Sequence, residues 1–448
     1  MKYRIKKIST IFSLLLLGYS VALAQSNKEL SLNDAIKLGV QNSKQLRHSA
    51  ARMASADASL QEFKDRRLPN ASISGSYLRV SKPTLAILLN TGQSSGSGTG
   101  TAEKGASAPN VKEAMYALGN VSYTLFDGFK NSAAIKSAKY LQEAARLDAE
   151  TDRQQVVQNI ISAYSNLYKA NSSVALVKEN LKQSHQRTVD FENLEKNGLL
   201  ARNDLLKAKL QESNVQLSLL DAESDLHVAN LNMDLMLGLP EETNLVLDTN
   251  SFQQMNDAQN LSYWEQQAMD NRSDFKSVDL RQKAAYANIK SAKGGYYPSL
   301  SLTGGYVALN VPNVIQVSDA WNAGIGLRYN ISSLWKTGAE INAAKAQLMQ
   351  AQTQQAILSD NIKVQLYQAY EDYLVSLKKI EVLNVAVEQS NENYKILKNK
   401  YDNSLATTTD LLDADVQQLQ AKLNYAYAKA DAVVAYNKLI QTAGIVAQ

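Results

Sequence analysis

Asp410 and Asp413 stand three residues apart, just after Thr407-Thr408-Thr409. On a helix that spacing puts both carboxylates on one face, where they repel each other and attract cations. The same residues also suit a helix start, because threonine caps the first turn and acids there offset the positive end of the helix dipole. On residue types alone the helix-start reading is the stronger. This is the most informative pair, and no catalytic constellation is visible elsewhere. His48, His185 and His227 are scattered without partners at metal-ligand spacing. No G-x-S-x-G or H-E-x-x-H occurs. The chain has no cysteine, which excludes disulfides, thiolate metal sites, a cysteine nucleophile and a lipidated N-terminal cysteine. The sequence predicts no enzyme, no cofactor and no metal.

The two aspartates need long helices to hold them, and the helix breakers show where those helices run. Among 448 residues prolines fall only at 69, 83, 109, 240, 298 and 312. Phe129 to Asn197 contains neither Gly nor Pro, enough for a helix about 100 Å long. Such lengths imply a coiled coil, a helical array or a bundle. A helix over 32–67, a returning helix over about Asn203 to Leu237, one over about Ser262 to Ser291 and one over 408–443 follow from the same pattern. The shorter helices, stacked in pairs, match the long ones in length, so each chain supplies two unbroken columns and two of stacked halves.

The second half repeats the first. An offset of 206 carries Tyr123 onto Tyr329, Lys130 onto Lys336, Asn197 onto Asn403 and Asp204-Leu205-Leu206 onto Asp410-Leu411-Leu412. An offset of 229 carries Leu32 onto Leu261, Pro69 onto Pro298 and Tyr77 onto Tyr306. The organisation is a leader at 1–24, a first repeat at 25–238, an equatorial linker at 239–260 and a second repeat at 261–448. The extra chain in the first copy includes the Gly/Ser stretch at 92–108, a solvated loop without the GK[ST] end of a phosphate loop.

Lys2, Arg4, Lys6 and Lys7 precede the apolar run Ile8–Leu17 and Ala22-Leu23-Ala24, the pattern of a secretory signal peptide. Without those four cations the formal charge of +4 falls to zero, which removes the case for nucleic-acid binding. Four segments alternate like strands. Ile73, Gly75 and Tyr77 oppose Ser72, Ser74 and Ser76; Val121, Tyr123 and Leu125 oppose Ser122 and Thr124; the stretches after Pro298 and around Ile325–Ile331 do likewise. An apolar face and a small polar face fit a membrane strand around a wet lumen. Four strands cannot close a barrel, so two, three or four chains must share one. Phe126, Phe129 and Trp335, where strand gives way to helix, are placed for a membrane-interface girdle.

The leader, the duplication, the strands feeding long helices, and the tip sequences KNGLLARNDLLKAKL (196–210) and DNSLATTTDLLDADVQ (402–417) resemble the TolC-like outer-membrane efflux proteins over essentially the whole mature chain. The resemblance implies an internally duplicated α+β membrane protein with four strands per chain in a shared transmembrane β-barrel and a long-helix periplasmic tunnel. It implies a homotrimer in the outer membrane of a Gram-negative bacterium, a passive exit duct of a tripartite efflux or secretion system. A periplasmic adaptor opens that duct, and an inner-membrane pump feeds it. It turns Asp410 and Asp413 into an acidic ring at the periplasmic gate, some of whose six carboxylates would have raised pKa values. Only the second copy doubles the acid, since Asp413 corresponds to Lys207. By the same resemblance Tyr401 and Asp204 form a closed-state lock, although Ala406 stands where an arginine is usual and Arg202 is the nearest substitute. Asn197, Gly198, Leu199, Leu200, Asn403, Ser404 and Leu405 form adaptor-docking tips, with the three leucines exposed. The competing reading is an exported structural or adhesive coiled coil without a pore, which predicts no barrel strands. A periplasmic adaptor is a weaker rival, since that class lacks this duplication.

Overall fold

The computed structural model describes residues 28–79, 81, 112–241, 243–252, 259–312 and 315–445. The leader, the Gly/Ser stretch and part of the expected linker lie outside these residues. The chain is mostly helical, with one four-stranded sheet. In order it runs β1 (Lys28–Leu30), α1 (Leu32–Asn42), α2 (Lys44–Asp65), β2 (Asn70–Arg79), β3 (Glu113–Phe126), α3 (Lys130–Lys196) and α4 (Arg202–Leu237). It continues through β4 (Leu245–Leu247), α5 (Leu261–Asn271), α6 (Ser273–Lys293), β5 (Ser299–Val311), β6 (Ile315–Arg328), α7 (Ser333–Asp402) and α8 (Thr408–Thr442). The long helices α3 and α7 have 67 and 70 residues, and the returning helices α4 and α8 have 36 and 35. The ends agree with the sequence offset, Lys196 with Asp402 and Arg202 with Thr408.

Two expected helices are each divided. The helix over 32–67 breaks at Ser43 and the one over 262–291 breaks at Arg272, where ψ turns to 120° and 121°. Ser43 then caps α2, its Oγ accepting from the Leu46 amide at 3.2 Å. Neither break carries a Gly or Pro, so breaker positions gave no sign of it.

The chain forms two compact units. One comprises the described parts of Met1–Arg52, Arg146–Lys276 and Ala356–Gln448. Within it β1 pairs in parallel with β4, and the buried Tyr164 hydroxyl lies 2.9 Å from the Leu30 carbonyl and 3.0 Å from that of Asp248. Ile160, Leu167, Met233, Leu237 and Phe252 pack around that clasp. A second core gathers Trp264, Ile362, Leu366, Tyr373 and Leu439. The half-length helices meet end to end through side-chain caps. Asn42 donates to the Leu237 carbonyl at 2.7 Å and Arg272 to that of Thr442 at 3.1 Å, satisfying carbonyls that a helix end leaves open.

The other unit comprises the described parts of Met53–Ala145 and Ser277–Gln355. It holds the antiparallel sheet in the order β2-β3-β5-β6. The register sorts side chains by face. Ile73, Gly119, Tyr306 and Trp321 lie in one row, and Tyr123, Leu302 and Ile325 in another. The opposite face carries Ser72, Asn120, Gly305 and Asn322. Within this chain the apolar face is uncovered: Ile73 is 91% and Trp321 79% exposed.

Candidate functional site

The two hairpin tips are built alike. In the first, Gly198 takes φ 71° and the Leu199 amide reaches back to the Leu194 carbonyl at 2.8 Å. In the second, Ser404 takes φ 62° and the Leu405 amide reaches the Lys400 carbonyl at 2.7 Å. This is the left-handed helix stop that favours glycine. Asn197 and Asn403 each donate a side-chain amide to the carbonyl four residues back, at 2.6 and 2.7 Å. The polar tip residues thus close the turns, and the turns throw two leucines outward: Leu199 is 74% and Leu405 76% exposed. Leu200 behaves otherwise. Expected to be exposed, it turns in beside Phe191, Leu205, Ala208 and Leu411, which pack the two tips of one chain together.

Tyr401 stacks on Phe191 with centroids 5.4 Å apart and shares a hydrogen bond with the Thr408 side chain. Burial lifts its pKa, and the nearby Asp204 adds to the lift. The sequence-predicted pair is therefore near neighbours within one chain. Asp204 also meets Lys207 at 3.4 Å, and Lys207 reaches Thr409 Oγ1 at 3.2 Å. Arg202 is drawn to Glu195 at 3.8 Å rather than toward Tyr401.

At the start of α8 the Asp410 carboxylate accepts from the Thr407 amide at 2.9 Å and the Thr407 hydroxyl at 2.7 Å, while Thr407 Oγ1 accepts from the Asp410 amide at 3.2 Å. This reciprocal capping box holds the Asp410 carboxyl below the usual carboxylate range. Within one chain that is the reverse of the raised value expected of a crowded ring. Asp413 shares the exposed face with Asp410. Its first-copy counterpart, Lys207, pairs with Asp204, whereas Asp410 and Asp413 of the second tip have no ion-pair partner among the described residues.

Two features escaped the sequence reading. Arg187 Nη1 lies 3.1 Å from Asp415 Oδ2, with Asn180 donating to Asp415 Oδ1 at 3.2 Å and Arg187 Nη2 to the Tyr394 hydroxyl at 3.3 Å. A signal existed, since Asp415 continues the i, i+3, i+4, i+7 stripe of Thr408, Leu411 and Leu412, where a charge must find a partner. The other is Asp234, fully buried near the end of α4, with Oδ2 accepting from Asn230 at 2.9 Å and Oδ1 unpartnered.

Where β3 meets α3, Phe126 and Phe129 pack edge to face at 5.2 Å; Phe129 is 64% exposed, and Trp335 in the first turn of α7 is 67% exposed. Among the described residues no group of three or more His, Cys, Asp or Glu could hold a metal. No described helix is long and apolar enough to cross a membrane.

The family model for outer membrane efflux proteins matches residues 35–239 and again 264–445. The chain belongs to the outer membrane efflux protein family. It is similar to the outer membrane efflux protein BepC of Brucella suis biovar 1, 22% identical over 71% of this chain and 70% of that protein. It is also similar to the outer membrane protein TolC of Vibrio cholerae serotype O1, 24% identical over 41% of this chain and 40% of that one. Among solved structures, the outer membrane protein VceC of Vibrio cholerae superposes with a TM-score of 0.74 at 18% identity, covering 92% of this chain and 96% of that one. The fold is that of the outer-membrane efflux channels. This protein is an efflux channel of a Gram-negative outer membrane.

Proposed function

We propose that three copies of this chain form one passive exit duct, with no enzymatic step of their own. The observation that carries this is the sheet. Among the described residues its outer strands β2 and β6 each have a neighbour on one side only, and its apolar face is exposed. A long open strand edge beside an uncovered apolar face is an aggregation site unless paired and covered. Closing three such sheets edge to edge yields twelve strands, with lipid covering the apolar face and Ser72, Asn120 and Asn322 lining water. The exposed Leu206, Leu210, Leu217 and Leu220 on α4, and Val375, Val382 and Val385 on α7, stand three, four or seven residues apart, as on a helix seam between copies. The matching helix lengths and the double match of the family model support the internal duplication. A pore-free coiled coil gives the sheet no role.

In this reading the tips lie in the periplasm. Asp410 and Asp413 of three chains form the acidic gate, Tyr401 and Asp204 hold the closed state, and Leu199 and Leu405 receive a periplasmic adaptor tied to an inner-membrane pump. Leu200 serves the hairpin core instead. Phe126, Phe129 and Trp335 form the periplasm-side girdle. The test is gel migration with and without boiling, together with planar-bilayer conductance. A heat-modifiable trimer with discrete single-channel steps is expected. A monomer that never inserts would return the chain to the coiled-coil reading.

A further inference from the structure

A cavity of about 550 Å³ opens where β3 gives way to α3, lined by Arg66, Arg67, Phe126, Asp127, Phe129 and Lys130 among others. Its charged groups are not equivalent. Arg66 pairs with Glu62 at 2.9 Å and lies over the Phe63 ring at 4.5 Å. Asp127 accepts from the Asn131 amide at 2.7 Å and so caps α3. Arg67 and Lys130 have no carboxylate partner among the described residues. Arg67 and Lys130 therefore face the cavity without an ion-pair partner among the described residues, and together with Arg66 they outnumber its one lining carboxylate, Asp127.

Phe129 makes the second observation. It holds φ 66°, the left-handed region, which is a genuine outlier for a bulky residue. Strain of that kind persists only where the surroundings impose it. Here the strained backbone lifts an aromatic ring out to 64% exposure, a placement that is unfavourable in water and favourable at a lipid interface.

We propose that this cavity binds the headgroup of an anionic phospholipid on the periplasm-facing side of the membrane, with Arg67 and Lys130 on the phosphate and Phe129 against the acyl chains. The proposal rests on the membrane-spanning reading of the sheet. It belongs to the first half of the chain alone: the offset of 229 places Gly295-Tyr296 where Arg66-Arg67 stand, although Lys336 and Trp335 match Lys130 and Phe129. One site per chain is the consequence.

The full-length trimer, in phosphatidylcholine nanodiscs doped with phosphatidylglycerol, tests this by native mass spectrometry of the lipids retained on release. One phosphatidylglycerol per chain is expected. R67Q should weaken retention about five-fold and R67Q/K130Q about thirty-fold, since each cation near an anionic surface contributes about a factor of five. K336Q should change nothing. Retention by R67Q/K130Q equal to the parent, or equal loss in K336Q, overturns the assignment. So does equal competition by millimolar inorganic phosphate, which would mark a free-anion site. Heat-modifiable migration of the same sample separates the two readings: if it is absent, the membrane reading fails first and takes this one with it.

Discussion

Arg187 and Asp415, separated by 228 residues, form an ion pair with side chains only 8% and 0% exposed. The pair joins α3 to α8 a few turns behind the tips, with Tyr394 of α7 on its rim. Stranding either charge leaves the other buried without compensation, which costs about 3–5 kcal/mol. R187M and D415L should each lower the melting temperature of the purified trimer sharply. The double variant R187M/D415L should recover most of the loss, because an apolar pair of similar volume is tolerated. Additive losses in the double variant would mean that packing, rather than charge, dominates the site.

Much of this architecture is visible in residue types. Helix ends follow Gly198, Gly238 and Gly444, all with φ near 70°, and the 206 offset aligns the two tips, whose Leu199 and Leu405 amides and Asn197 and Asn403 side chains make matching bonds. The Asp410 cap follows from three threonines. What stayed hidden is what depends on distant chain. Asp415 meets Arg187 only once α8 packs on α3, and Leu200 points inward because the Gly198 stop rotates it off the exposed side. The breaks at Ser43 and Arg272 coincide with Asn42 and Arg272 reaching the Leu237 and Thr442 carbonyls; Ser43 carried a local cap signal, but the partners lie in distant chain.

Asp234 supplies a pH dependence. Burial pushes its carboxyl from 3.8 up to about 6. With the folded value raised, its contribution favours the folded state fully below pH 3.8 and is lost as pH rises through 6. Above that the buried charge costs about 3 kcal/mol. D234N should therefore raise the melting temperature at pH 8 and have little effect at pH 3.5. A variant no more stable than the parent at pH 8 would show that the charge is solvated in the trimer.

The tips separate docking from folding. L199E and L405E alter side chains about three-quarters exposed, so trimers and insertion should persist while export through the proposed pump falls at least ten-fold. L200E places a charge in the Phe191–Leu205–Leu411 core and should destabilise the tips by about 2–3 kcal/mol, seen as faster proteolysis there. Unchanged export in L199E/L405E would remove these leucines from the adaptor contact.

The gate can now be separated from the helix cap, which residue types left entangled. Asp410 serves α8 through its capping box with Thr407, so D410A removes a cap worth about 1 kcal/mol along with a charge. Asp413 takes no part in that box, which makes D413A the cleaner variant. Three chains would bring six carboxylates together, attracting cations along the axis and binding multivalent ones. Single channels should be cation-selective and blocked from the tip side by trivalent ions. D413A should weaken the block at least ten-fold without loss of the pore, and D410A/D413A should abolish it. D204A provides the control: Asp204 is already compensated by Lys207 at 3.4 Å and sits beside Tyr401, so its loss should loosen the closed state and raise conductance while the block remains. A double variant blocked as strongly as the parent would leave Asp410 as a cap and place the constriction elsewhere.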